Sequence, residues 1–378
     1  MTNNNSTYKR LGDYIREINV RNKDLSVTKL MGINIDKYFM PSVANVIGTD
    51  MSNYKVVANG QFACNLMHVG RDEKIPVALN TEDPIIVSPA YFVFEVCDNT
   101  LLPEYLELSL RNPEFDRNAW FHTDGDVRGG MDKEGMKDLL IPVPPLEEQR
   151  SIVTRYKAIE TRIANNKQTI AKLEEAAQAL YRKMFVDDVD VENLPEGWRM
   201  GTISDFGEII TGKTPSTLDE SNFGNDVPFV TIPDMHNVVF VLKTERSLSI
   251  KGANSQKNKT IPENSICVSC IGTPGLVIIN KQPIQTNQQI NSVVLKNPNT
   301  LYYCYFALNS LKQIIAEYGI GAAVLNNLNK EEFSKLQIMI PDVESLKEYD
   351  TRVSSMFDLL YQKQKENKIL MDMLSMMA

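Results

Sequence analysis

The sequence predicts an α+β protein: two mixed α/β domains in a pseudo-two-fold arrangement, separated by two long antiparallel coiled-coil helices. Three observations predict it. The stretch Leu139-Leu140-Ile141-Pro142-Val143-Pro144-Pro145-Leu146-Glu147 is echoed about 200 residues later by Leu336-Gln337-Ile338-Met339-Ile340-Pro341-Asp342-Val343-Glu344. Each copy precedes a run with apolar residues at helical spacing: Ile152, Tyr156, Ile159, Ile163, Ile170, Leu173, Ala177 and Leu180 in the first, Tyr349, Val353, Met356, Leu360, Leu370 and Leu374 in the second. One offset, that from Ile152 to Tyr349, carries every member of the second set onto a member of the first. The domain openings also rhyme, Leu11-Gly12-Asp13-Tyr14 against Ile203-Ser204-Asp205-Phe206. Two copies are too few for a solenoid. A duplicated domain plus helix can instead read two features a fixed distance apart.

The elements follow in order. Residues 1–143 mix β-rich runs, such as Ile85-Ile86-Val87 and Tyr91 to Val96, with turns and short helices. Residues 144–186 form the first long helix. Pro144 and Pro145 sit before its start, where a missing N–H costs little, and Glu147 and Glu148 favour its positive end. Its apolar positions step mostly by threes and fours, a coiled-coil seam. Residues 187–197, with Leu194-Pro195-Glu196-Gly197, are a linker. Residues 198–342 form the second mixed domain, with strands expected at Phe229–Ile232, Ser265–Val268 and Leu276–Ile279. Residues 343–378 repeat the helix. Both seams carry polar residues near their middles, Asn166 in the first and Lys363 and Asn367 in the second. Antiparallel packing would set these against one another, a costly arrangement that fixes register.

Bulk properties bound the class. At 378 residues, 43% apolar and 23% charged, the chain suits two or three soluble domains. Its first residues lack the basic and apolar regions of a secretory signal, and no 18-residue apolar run is present. Five scattered cysteines suit a reducing cytoplasm, and no membrane association is expected. Cys267 and Cys270 have half the spacing of a zinc site, but no second pair or nearby histidine completes it, and no metal is expected. The net charge of −8 argues mildly against a phosphate-rich partner. The basic residues are uneven, however. Lys243, Arg246, Lys251, Lys257 and Lys259 face one acid, Glu245, and Lys9, Arg10, Arg16, Arg21, Lys23 and Lys29 outnumber Asp13, Glu17 and Asp24. Each cluster reads equally well as a solvated face.

Catalytic signatures are weak. Gly207-Glu208-Ile209-Ile210-Thr211-Gly212-Lys213-Thr214 has the letters of a P-loop. Its middle is strand-like, though, and Pro215 follows where a helix should open. Asn112-Pro113-Glu114-Phe115 fails a DNA methyltransferase's N/D-P-P-aromatic motif at its third position. The acids and lysine of Pro341-Asp342-Val343-Glu344-Ser345-Leu346-Lys347 are wrongly spaced for a nuclease. His68, His122 and His236 are scattered and suggest no triad. The chain reads as non-enzymatic.

The order of these parts resembles the specificity subunit of type I restriction–modification systems over essentially the whole chain. Ile141 to Gln149 (I-P-V-P-P-L-E-E-Q) and Leu194-Pro195-Glu196-Gly197-Trp198 are similar to that family's hallmarks. Thr211-Gly212-Lys213-Thr214-Pro215-Ser216 resembles its G-x-T-P-S turn, and Asn287-Gln288-Gln289-Ile290 is another shared piece. Val69-Gly70-Arg71-Asp72 and Val127-Arg128-Gly129-Gly130 resemble one recognition-domain subtype. The second hinge departs, because Ile340-Pro341-Asp342-Val343-Glu344 lacks the Pro-Pro and the Glu-Gln.

The resemblance implies that each domain is a target-recognition domain reading half of a bipartite double-stranded DNA sequence. The helices would set the gap, roughly 40 residues at about 1.5 Å each, or about 60 Å. Basic side chains would hold phosphates, and loop amides and hydroxyls would read base edges. The DNA-binding candidates are Arg71, Lys74, Arg128, Lys213, Thr214, Ser216, Arg246, Lys251, Lys257, Lys259, Gln288 and Gln289. The seam candidates are Ile152, Tyr156, Ile159, Ile163, Asn166, Ile170, Leu173, Tyr349, Val353, Met356, Leu360, Lys363 and Leu370. Two modification (methyltransferase) subunits, together with restriction subunits, would be the partners. S-adenosylmethionine, ATP and Mg would bind those partners and no cofactor this chain. A specificity subunit of another phage-defence methylation system and a coiled-coil protein scaffold are the alternatives.

Overall fold

The computed structural model describes residues 8–43, 48–67, 69–123, 130–318 and 328–377. The chain divides into two compact units, Met1–Arg162 with Asp372–Ala378, and Ile163–Met371. The first long helix, Leu146–Phe185, begins in the first unit and continues into the second; the other, Val343–Met377, ends in the first. The sequence divides the chain at the helix starts, whereas compactness divides it within the helices. Among the described residues no helix is long and apolar enough to cross a membrane.

Each unit closes in the same way. In the first, strand Tyr8–Arg10 pairs antiparallel with Leu140–Pro142, and the Leu11 N–H donates to the Leu139 carbonyl at 2.8 Å. In the second, Arg199–Thr202 pairs antiparallel with Gln337–Ile340, and the Ile203 N–H donates to the Leu336 carbonyl at 3.2 Å. The duplicated I-P segments are thus the last strands before each helix. A two-stranded ribbon tolerates Pro142 because its missing N–H is not needed by a further strand.

The first unit has a four-stranded sheet in the order Ile15–Ile18, Phe92–Val96, Gln61–Cys64, Val77–Leu79. Phe62 and Phe94 stack at 5.0 Å in its core, both fully buried. The second unit has a five-stranded sheet in the order Gly207–Thr211, Ile290–Leu295, Ile266–Ser269, Val277–Asn280, Phe240–Val241. Ile266–Ser269 and Val277–Asn280 are buried throughout, which is why they read as continuous apolar runs rather than alternation. The strand expected at Phe229–Ile232 is Val227–Val230 instead, because Thr231 and Asp234 form a capping box that starts a short turn at Ile232.

The helix seam is strongest within the second unit. Tyr349 donates from its hydroxyl to the Ala177 carbonyl at 2.9 Å, and Asn166 Nδ2 donates to Asn367 Oδ1 at 3.0 Å. As the first helix advances from 166 to 177 its partner retreats from 367 to 349, so here the two run antiparallel. Both asparagines are buried, at 2% and 6% exposure. Ile163, Val353 and Leu360 are buried, while Ile170, Leu173, Met356 and Leu370 are half-buried. Lys363 is also half-buried and reaches Glu366 at 3.0 Å. Phe357, absent from the seam candidates, is buried because the second helix also packs against the helix Leu301–Ser310, whose residues 301–308 are all buried; Phe357 stacks on Tyr302 at 4.1 Å. One helix serving two neighbours needs a wider stripe than a coiled-coil seam. In the first unit, Ile152 packs on the domain core, Ile159 is half-buried, and the Tyr156 hydroxyl accepts from Arg111 Nη1 at 3.5 Å.

Candidate nucleic-acid interface

In the second unit the candidates come from four separate segments, and buried polar side chains tie those segments together. Gly207–Thr211 is a strand paired with Ile290–Leu295, so the P-loop lettering has no phosphate-cradling loop behind it. Beyond the strand, residues 212–216 are irregular and no helix opens. Gly212 is packed so closely that a Cβ would stand 2.2 Å from the Asn287 carbonyl oxygen, which leaves room only for glycine. The Lys213 N–H donates to the Thr286 carbonyl at 2.9 Å, and the Thr214 hydroxyl donates to Gln288 Oε1 at 2.8 Å. Two of the motifs met separately in the sequence, the T-P-S turn and N-Q-Q-I, are therefore neighbouring loops.

A second pair of amides secures the basic segment. Gln256, 3% exposed, donates from Nε2 to the Lys213 carbonyl at 2.6 Å and to Gln285 Oε1 at 2.9 Å. Gln285, fully buried, donates in turn to the Ala253 carbonyl at 3.0 Å and the Thr260 hydroxyl at 2.9 Å. These bonds hold the short helix Ile250–Asn254 and the turn Lys257–Lys259 against the 213 loop. Buried Asn222 Nδ2 donates to the Ser216 carbonyl at 3.0 Å, and the Ser249 N–H donates to the Asn222 carbonyl at 3.0 Å. Gln256 Oε1 is buried without a hydrogen-bond partner among the described residues, while the remaining bonds tie these loops to one another.

Their tips are polar and face solvent. Lys213, Ser216, Arg246, Lys251, Lys257 and Gln288 are exposed; Thr214, Lys259 and Gln289 are half-buried. The cations differ in how free they are. Lys251 is held by Asp219 at 2.8 Å and the Ser221 hydroxyl at 2.7 Å, and hydrogen bonds from Lys251 and Ser221 hold the Asp219 carboxyl down at about 2. Arg246 lies over the Phe223 ring at 4.1 Å. Among the described residues the side-chain ammonium groups of Lys213, Lys257 and Lys259 have no partner.

The first unit assembles less. Arg71 lies on the short helix Val69–Asp72 and turns its fork onto Asp72, at 2.7 and 2.9 Å. Lys74 borders a cleft of about 520 Å³ shared with Arg111, Arg117 and half-exposed Trp120. A buried pair that nothing local in the sequence marks lines the cleft: Lys37, 4% exposed, donates to Asp116 Oδ1 at 2.7 Å and to the Leu110 carbonyl. Burial pulls the Lys37 ammonium below its ordinary range against the opposing pull of Asp116. Arg128 lies outside the described residues. The N-terminal basic residues are largely engaged with protein groups: Arg10 pairs with Asp138, Arg16 with Glu95 and Lys29 with Glu82, while Arg21 donates to the Asn53 carbonyl. That cluster is a self-neutralised face.

The hallmark motifs have structural work at the helix starts. Gln149 is fully buried, accepts from the Leu102 N–H at 2.9 Å, and donates to the Thr100 and Pro144 carbonyls, each at 2.8 Å. At the second hinge Asp342 caps the helix instead, accepting from the N–H groups of Glu344 and Ser345 at 2.9 Å and from Trp198 Nε1 at 2.6 Å. The Asn112-Pro113 pair is another cap, with Asn112 accepting from the Glu114 N–H at 2.8 Å. Cys267 and Cys270 are buried beside Ser292 and Asn291, and no cluster of three His, Cys, Asp or Glu side chains is present among the described residues.

Comparison with known proteins identifies the architecture. The family model for the type I restriction modification DNA specificity domain matches residues 69–175 and again 195–371. The specificity subunit of the type I restriction enzyme HindI from Haemophilus influenzae is 29% identical over 95% of each chain. The MjaIX specificity subunit from Methanocaldococcus jannaschii is 26% identical over 48% of this chain and 43% of its own. The crystal structure of a type I restriction–modification S subunit from M. genitalium shares the fold at a TM-score of 0.62 and 14% identity, covering 100% of this chain and 96% of that one. Two family matches, one on each copy of the duplication, with a relative that aligns end to end, place the chain in the type I restriction modification DNA specificity family.

Proposed function

We propose that this chain reads a bipartite double-stranded DNA sequence, one half per recognition unit, on behalf of catalytic partners and without catalysis of its own. The observation that carries this reading is the convergence in the second unit of Lys213, Lys257 and Lys259 with Gln288 and Gln289. Unpartnered cations suit phosphates, and amides at loop tips suit base edges. The buried Gln256–Gln285 network preorganises both. The expected partners are two modification subunits and, where cleavage occurs, restriction subunits; these would carry S-adenosylmethionine, ATP and Mg in the cytoplasm of a bacterium or archaeon. The domain limits 1–143 and 198–342, with the helices between as spacer, belong to the same reading.

The test is to map methylated adenines in a host with and without the chain. A two-part motif that appears only with the chain supports the reading; an unchanged methylome overturns it. In the assembled complex, Lys257→Gln with Lys259→Gln should lower the slope of log affinity against log salt by about one unit per lost phosphate contact. Lys251→Gln should lower it less, because Asp219 already neutralises that ammonium. An unchanged slope in the double variant would return the segment to a solvated face.

A further inference from the structure

We propose that Gln289 is a specificity-determining residue of the second unit, presenting its amide NH2 to DNA, and that Asn287 is the positioning residue that fixes this polarity. The base it fits is guanine. The inference rests on the DNA-reading function proposed above.

The polarity follows from an atom that cannot change role. The backbone N–H of Gln289 can only donate, and it donates to Asn287 Oδ1 at 3.1 Å. The other end of the Asn287 amide is therefore its NH2, which donates to Gln289 Oε1 at 2.8 Å. Gln289 is left with its own NH2, which has no hydrogen-bond partner among the described residues. Asn287 is 9% exposed and anchored by its N–H on the Val230 carbonyl at 3.2 Å, while the Gln289 carbonyl accepts from the Cys270 N–H at 2.8 Å. The platform is thus tied to the ends of two strands, Val227–Val230 and Ile266–Ser269. Gln289 Nε2 stands 3.2 Å from the place a Cβ would take at Gly272, an exposed loop residue with φ +83°. A side chain there would crowd the amide, and the glycine leaves it open.

Gln288 does not carry the same inference. Its amide meets the Thr214 hydroxyl, and a hydroxyl donates or accepts by rotating.

A head group with two N–H donors and its carbonyl already engaged selects among base edges. In the major groove guanine offers two adjacent acceptors, O6 and N7. Adenine sets a donor beside its acceptor, cytosine offers a donor, and thymine a single acceptor beside a methyl group. The usual glutamine pairing with adenine uses the carbonyl as an acceptor, and Asn287 already occupies one of its two lone pairs and holds it towards the protein.

The experiment uses the full chain assembled with its modification partner, with methylated adenines mapped over a randomised DNA library. Wild type should require guanine at a position of one half-site. Gln289→Glu keeps the shape and still accepts from Asn287 but has no donor; methylation of guanine-containing sites should fall roughly tenfold or more, with other positions unchanged. Asn287→Asp still accepts from the Gln289 N–H but cannot donate. The Gln289 amide should then turn its NH2 inward, expose Oε1, and shift the preference at that same position to cytosine or adenine. Thermal unfolding read from Trp198 emission identifies variants that fail to fold. A uniform loss of methylation with every base preference intact would make Gln289 merely structural and overturn the inference. A motif in which neither variant moves a guanine would overturn it too. If wild type yields no bipartite motif, the DNA-reading function fails first, and the two failures are distinguishable.

Discussion

Replacing one member of the Asn166–Asn367 pair should destabilise the second unit, and replacing both should not. The two amides meet at 3.0 Å with 2% and 6% exposure, on a seam otherwise filled by residues such as Ile163 and Leu360. Asn166→Leu leaves the Asn367 amide buried against hydrocarbon, a loss of about 1–3 kcal/mol; Asn367→Leu should do the same. The double leucine variant removes both polar groups and extends the apolar seam, so it should be near neutral or stabilising. The coupling energy is then about 2 kcal/mol or more, well above the few tenths expected of independent sites. The chain has two tryptophans, Trp120 in the first unit and Trp198 in the second. Guanidinium unfolding in a Trp120→Phe background, followed by Trp198 emission, therefore reports the unit that holds both asparagines. Additive single losses, or single variants indistinguishable from the background, would refute the reasoning. The pair then would not be the polar key that sets helix register.

Three further predictions follow from the helix starts and the seam. Gln149→Leu should cost the first unit about 2–4 kcal/mol, read from Trp120 emission, because it strands the Leu102 N–H and two carbonyls; a loss under about 0.5 kcal/mol would show that water replaces the amide. Hydrogen bonds from Ser345, from Trp198 and from the Glu344 N–H hold the Asp342 carboxyl down at about 2. Since that folded value lies below the unfolded one, its stabilisation is complete above the ordinary carboxylate range and disappears as pH falls from about 4 towards 2. Asp342→Asn should flatten the acid limb of a stability–pH curve for the second unit, and an unaltered limb would contradict this. Inserting a heptad into the first helix near Asn166, which preserves the seam, adds about 10 Å and should widen the gap between half-sites by about three base pairs. Methylome mapping checks it; a fixed gap with altered half-sites would show that the helices are not the ruler.

The sequence by itself determined the duplication, the two long helices and the polar break in their seam, since these are periodic and local. A 3.6-residue repeat and a proline before a helix start declare themselves without knowledge of any neighbour. The helix expected over 144–186 spans Leu146–Phe185, and the paired I-P segments close their units in the same manner. What only the tertiary structure decided is which residues meet across long separations. Gln256 and Gln285 are ordinary polar letters in the sequence, and nothing local marks them as the buried pins that join residue 213 to 257. Lys37 reads as a solvated charge until Asp116 arrives beside it from 79 positions away. Lys251 and Lys257 look alike in the basic run, and only the fold gives one a carboxylate and leaves the other unpartnered. The same holds for Gln289: its donor polarity is set by Asn287 only because the loop closes on itself against the sheet. Hydrogen bonding acts at contact distance, so its partners are fixed by the folded chain path and not by spacing along the sequence.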